Sequence, residues 1–198
     1  MKKLFIIALV FFITSFAKAA DWGEWKTINS SAIPLNLNNI SNIIGQTSFS
    51  AWRMDGKFEG AKGFVIWVEN YSNEGKLIIE YVKFPPAWVI VGSGNDKKLL
   101  INKTASLLNV DKKNNPLKRL SKNEIERYRD IENNVVPHVF FSYDNNSCLV
   151  FNKGYYKRES GYVKSSEDDE TLTAVFCKYS GSLSESDAHQ LIDSIQVK

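Results

Sequence analysis

The sequence has 198 residues, with 25 basic and 22 acidic side chains and a net charge of +3. Hydrophobic residues at 43% and charged residues at 24% are ordinary globular values, so a disordered or collagen-like chain is excluded. The length suits a single domain with a sizeable core.

In chain order, Met1-Lys2-Lys3 is followed by an apolar run from Leu4 to Phe16 and by the small-x-small sequence Ala17-Lys18-Ala19. That layout is a secretory signal peptide over residues 1–20, with a single domain over 21–198. The apolar run falls short of the roughly 20 residues that span a bilayer. The compact Met-Lys-Lys start points to bacterial export, so the expected location is periplasmic or secreted. Lys2, Lys3 and Lys18 leave with the leader and no acid does. The excess positive charge therefore belongs to the leader, and the remainder balances.

Asp21 to Ile28 reads as a first short strand, residues 29–50 as loop with a short helix, and Ala51 to Met54 as a brief strand. Lys62 to Glu69 is apolar on both pleat faces, as in a central strand, with Trp67 in the core. Gly75 to Phe84 follows a polar turn. Trp88 to Val91 and Lys98 to Asn102 flank Gly92-Ser93-Gly94-Asn95, which predicts a hairpin with Trp88 inside. Ser121 and Glu124 have capping-box spacing, which predicts a helix over 122–133. Pro137 to Tyr143 reads as a strand, as do Ser147 to Tyr156 and Thr171 to Tyr179. Ala188, Leu191, Ile192 and Ile195 recur at helical spacing and predict an amphipathic C-terminal helix over 185–195. The expectation is an α+β fold: a mainly antiparallel sheet of about six strands with one or two packed helices.

Cys148 and Cys177 are the only cysteines, and they fall on the last two strands. Paired as a hairpin, those strands bring the two residues roughly opposite each other. An exported chain meets an oxidising compartment, so a disulfide is expected.

No standard catalytic motif is present: no His-Glu-x-x-His, no Gly-x-Ser-x-Gly, no phosphate loop and no dinucleotide fingerprint. No cofactor or metal is implied. His138 follows Pro137 and reads as a strand-edge residue making one hydrogen bond, with a general base as the functional alternative. His189 and Asp193 are four residues apart, which permits an ion pair or the orienting half of a serine-type triad. The run Glu167 to Glu170 reads as a solvated loop; it lacks the spacing of a calcium loop.

Between residues 96 and 123, Lys97, Lys98, Lys103, Lys112, Lys113, Lys118, Arg119 and Lys122 stand against Asp96 and Asp111 alone. Such a segment reads first as a solvated lysine-rich connection, with attraction of polyanions or an anionic membrane surface as the functional alternative. It contains a single arginine and no interleaved aromatics, which argues against nucleic acid. Trp22, Trp25 and Trp52 lie near turns or the start of the exported chain; core or interface packing is the default reading for each, with a ligand platform as the functional alternative, and Tyr155 and Tyr156 point to opposite strand faces. The leading expectation is a non-enzymatic binding module for a protein or envelope component, with no transmembrane segment in the exported chain. The alternatives are a small hydrolase using His138 or His189, and a polyanion- or membrane-surface-binding protein acting through residues 97–122.

Overall fold

The computed structural model describes residues 21–198 apart from 38–39, 46–47, 59–60, 85–87, 92–95, 155–160 and 165–168. The leader over 1–20, the Gly92–Asn95 turn, Tyr155, Tyr156, Glu167, Asp168 and the burial of Trp88 lie outside the described residues. In chain order the elements are β1 (Asp21–Trp22), β2 (Lys26–Ile28), β3 (Leu35–Asn36), α1 (Ser41–Ile44), β4 (Ser50–Phe58), β5 (Ala61–Tyr71), β6 (Gly75–Phe84) and β7 (Trp88–Val91). They continue with α2 (Asp96–Leu107), β8 (Glu126–Arg129), β9 (Val135–Tyr143), β10 (Asn146–Gly154), β11 (Gly161–Lys164), β12 (Asp169–Lys178), α3 (Glu185–Ser194) and β13 (Gln196–Val197).

Nine strands form one antiparallel sheet in the order β1–β4–β5–β6–β12–β10–β9–β8, with β2 beside β1 on β4. β4–β5–β6 and β8–β9–β10 are each a meander of consecutive neighbours. β12 joins them, pairing with β6 on one side and β10 on the other. β7 pairs with β11, and β3 with β13, as separate two-stranded ribbons. The α+β class agrees with the sequence pattern, but the main sheet has more strands than the six expected.

Both faces of the sheet are apolar at its centre, and every residue from Thr171 to Cys177 is buried. On one face Ile66, Leu77, Ile79, Ala174, Phe176 and Phe151 pack with α1 and with Ala188, Leu191 and Ile192 of α3. On the other, Ile78, Val139, Val150 and Val175 pack with Leu100 and Leu107 of α2 and with Leu117, Leu120 and Ile125 after it. Continuous apolar strands therefore mark a sheet covered on both sides. Gly75 needs its missing side chain: a Cβ there would lie 2.5 Å from the Cys177 carbonyl oxygen and 2.6 Å from the Phe176 ring.

Cys148 and Cys177 face each other in register on β10 and β12 and form the disulfide. No helix among the described residues is long and apolar enough to cross a membrane.

Two expected elements are corrected. Lys98 to Asn102 is part of α2 and not of a hairpin. Lysine and leucine are good helix formers, and Leu100, Thr104 and Leu107 bury one stripe at i, i+4 and i+7. β7 takes β11 as its partner instead. After Ser121 there is no helix over 122–133. Glu124 Oε2 does accept the Ser121 N–H at 2.6 Å, but only a single 3-10 turn, Lys122–Glu124, follows. The chain then turns into β8, because Glu126 to Arg129 pairs with Val135 to His138 and buries Ile125. Long-range pairing overrides the local cap signal. The charges of β8 also suit its place at the sheet edge, where they discourage further strand addition.

The C-terminal helix is as expected. Ser184 caps α3: its N–H donates to Asp187 Oδ2 at 2.8 Å, and its Oγ accepts the Asp187 N–H at 3.1 Å. The Ser184 N–H first, and then the Ser184 hydroxyl, which donates to Asp187 Oδ2 at 2.9 Å, hold the Asp187 carboxyl below its usual pKa. A depressed folded-state pKa gives stability that is present above the unfolded value and lost as pH falls through the folded one. Asp187→Asn is thus expected to cost about 0.3–1 kcal/mol at pH 7. The gap to the parent chain should narrow between pH 7 and pH 3, measured by urea unfolding. An equal gap at both pH values would refute the electrostatic account.

Candidate functional site

The α2 face is where the sheet offers a binding surface. α2 packs against β6, β9, β10 and β12. Lys103 of α2 forms an ion pair with Glu80 of β6, which fixes that strand residue on the same face. Glu80 is the register partner of Trp67 on β5, and Trp67 is the partner of Trp52 on β4. Cross-strand partners share a face, so Trp52 and Trp67 stand side by side next to α2. Trp25, just before β2, is 46% exposed and completes the wall. Together with Glu69 the three indoles line a shallow groove of about 450 Å³.

One carboxylate orders this groove. Trp67 Nε1–H donates to Glu69 Oε1 at 2.7 Å, and the Tyr71 hydroxyl donates to Glu69 Oε2 at 3.4 Å. Trp67, Glu69 and Tyr71 alternate along β5 and so point the same way. Tyr71 is 58% exposed, and Lys76 Nζ lies over its ring at 5.0 Å. Among the described residues no lysine or arginine forms an ion pair with Glu69. Trp67 was expected in the core; it is only partly buried, because the cover given by α2 runs out towards β4. Its exposure was readable from Glu69 and Tyr71, a charged and a polar aromatic residue on its own pleat face.

A second groove, of about 470 Å³, lies where β1, β4 and β5 meet and includes Trp22. It is slightly larger, but it holds a single tryptophan, and its Arg53 and Asp55 are engaged with each other. Arg53 Nε pairs with Asp55 Oδ1 at 2.8 Å, and its guanidinium lies 4.1 Å from the centre of the Phe64 ring. We therefore regard the tryptophan groove as the better seat for a ligand.

The two histidines, 51 positions apart in sequence, converge on the α3 face. Their ring centres are 6.1 Å apart, edge to face. His138 is not a strand-edge residue. It lies on β9 between Glu126 of β8 and Phe151 of β10, and is 1% exposed. Its Nε2 is 3.2 Å from Glu126 Oε2 without hydrogen-bond alignment, and its Nδ1 is 3.4 Å from the Val136 carbonyl oxygen. His189 stacks on Tyr128 at 3.8 Å, and its Nε2 is 3.7 Å from Glu185 Oε1. The expected pairing of His189 with Asp193 is replaced, because Asp193 serves β8. Asp193 Oδ2 accepts the Tyr128 hydroxyl at 2.8 Å, and Oδ1 accepts the Ile131 N–H at 3.0 Å. The bond to Asp193 raises the Tyr128 pKa. No serine, threonine or cysteine is hydrogen-bonded to either imidazole among the described residues, so the triad geometry does not form there. The cluster ties α3 to β8 and β9. Beneath it, fully buried Lys153 donates to the Ile195 carbonyl oxygen at 2.8 Å and pairs with Asp130 Oδ2 at 3.0 Å.

The lysine-rich segment covers α2 and the loop after it. Lys103 is committed to Glu80, and Lys118 donates to the Lys113 carbonyl oxygen at 2.7 Å. Lys97 is half-buried, whereas Lys98, Lys112, Lys113, Arg119 and Lys122 are exposed. Of the acidic run, Glu170 pairs with Lys83 at 2.9 Å. No cluster of three potential metal ligands occurs among the described residues.

No protein-family model, curated protein or solved structure matches the chain.

Proposed function

We propose that the chain is an exported bacterial binding module without catalytic function, and that the groove of Trp25, Trp52, Trp67 and Glu69 is its ligand seat. The observation that carries this reading is a groove walled by three indoles, Trp25 exposed and Trp52 and Trp67 half-buried, around one ordered carboxylate. Soluble proteins bury such surface unless a ligand covers it, and its volume lies in the range of small-molecule sites. The disulfide supports an oxidising location.

The second reading, polyanion binding, is favoured by the exposed side chains of Lys98, Lys112, Lys113, Arg119 and Lys122. One experiment separates the two. The protein, labelled with nitrogen-15, is titrated with neutral saccharides, amino acids, alkylammonium salts and heparin while its amide and indole N–H signals are followed. The groove reading expects one class of small probe to shift the indole signals of Trp25, Trp52 and Trp67 in a saturable way, with Trp52→Ala weakening that response at least tenfold. Shifts confined to residues 97–122, produced by heparin and erased by salt, would replace it with the polyanion reading.

A further inference from the structure

The lining of the tryptophan groove selects a chemical class of ligand. An indole's π face has negative electrostatic character; three indoles line the groove, and Glu69 adds a formal negative charge. No basic side chain lines the groove or pairs with Glu69 among the described residues. The seat is therefore complementary to a cation, the situation in which aromatic faces bind most strongly.

The hydrogen-bonding inventory narrows the choice. A primary ammonium or a guanidinium brings three to five N–H donors, each needing an acceptor once water is displaced. The groove offers a single acceptor side chain, Glu69, and both of its oxygens already take protein donors, from Trp67 and Tyr71. An alkylated ammonium has no such need. Its methyl groups spread the charge over a weakly hydrated surface that can lie against indole faces. Among the described residues four side chains line a groove of about 450 Å³, a scale that suits a small solute more than an extended protein contact.

The geometry points to a small alkylated ammonium compound of the choline type as the occupant of this groove, with Trp25, Trp52 and Trp67 as the aromatic walls and Glu69 as the counter-charge. This rests on the reading of the groove as the ligand seat, and it names what that seat takes.

The test compares choline with 3,3-dimethylbutan-1-ol, which has the same shape and no charge, at constant ionic strength. Indole N–H shifts of the nitrogen-15-labelled protein give the affinities. Choline is expected to saturate the signals of Trp25, Trp52 and Trp67, with the neutral isostere at least tenfold weaker. Glu69→Gln keeps the acceptor for the Trp67 N–H and removes the charge. It should weaken choline at least fivefold and leave the isostere unchanged, and an unaltered amide spectrum elsewhere establishes that the variant is folded. Equal binding of the two compounds would overturn the cation assignment while leaving the groove as an apolar ligand seat. Saturation of the same indoles by a neutral saccharide, with choline silent, would overturn the assignment and keep the seat. Choline silent at all three indoles, together with every probe in the wider titration acting elsewhere, would remove both the assignment and the seat.

Discussion

Replacing Lys153 by methionine is expected to lower stability by about 3–5 kcal/mol, the cost of breaking a buried ion pair from one side. Lys153 lies on β10 opposite Leu172, on the α3 face, with no exposed surface. Its Nζ links Asp130, at the end of β8, to the Ile195 carbonyl oxygen just beyond α3. Methionine fills the same volume but leaves the Asp130 carboxylate buried without its cation. Asp130 also accepts the N–H groups of Glu132 and Asn134 at 3.0 and 2.8 Å, so it keeps its place in the turn and carries the desolvation cost. Adding Asp130→Asn should recover part of the loss, since the two groups interact directly and their effects do not add. Urea unfolding of Lys153→Met, Asp130→Asn and the double variant measures this. A loss under about 1 kcal/mol for Lys153→Met would mean that the pair contributes little more than an apolar contact would.

The second large effect concerns the disulfide. Cys148 and Cys177 are 29 residues apart and both buried. On the chain-entropy account, opening a loop of that length costs about 3–4 kcal/mol at 25 °C. The double variant Cys148→Ala, Cys177→Ala should show that loss in urea, with a steeper dependence on denaturant, because the unlinked unfolded chain exposes more surface. Reducing agent should act in the same direction on the parent chain and leave the variant unchanged. If the double variant kept its midpoint, the cross-link would be redundant with the pairing of β10 and β12.

These expectations show which parts of the molecule local sequence encodes. Lys62 to Glu69, Gly75 to Phe84 and the cysteine strands were legible because they are apolar on both faces over a strand length. α3 was legible because its stripe at 188, 191, 192 and 195 comes with a matching cap at Ser184. α2 was not, since Thr104 sits in its buried stripe and β-branched Ile101 imitates a strand. β8 was not, because a cap sequence at Ser121 is satisfied by one turn as readily as by a helix. The candidate groove was legible in part: Trp25 and Trp52 stood out near turns, and Glu69 and Tyr71 marked the pleat face of Trp67 as a wetter one, but that the three indoles line one groove depends on the strand register and on how far α2 reaches across the sheet. The meeting of His138 with His189, and the burial of Lys153 under them, depend on the placement of α3 against β8–β10. Nothing within a few residues of any of the three records it.

The position of β12 has a consequence for the order of assembly. Ile79 on β6 and Ala174 on β12 are register partners 95 positions apart, and Ala174 also pairs with Phe151 on β10. Until Thr171 to Cys177 is available, β6 and β10 each lack the neighbour that covers their inner edge, and the two meanders cannot join. Contacts of such separation form slowly, because the closure entropy is lost before the contacts form. A chain delivered from its N-terminus therefore cannot close its sheet until β12 arrives. Cys177 travels on that same strand, so the cross-link cannot form before the closing strand arrives. Oxidation thus cannot join a wrong pair within the chain, since the chain holds no third thiol.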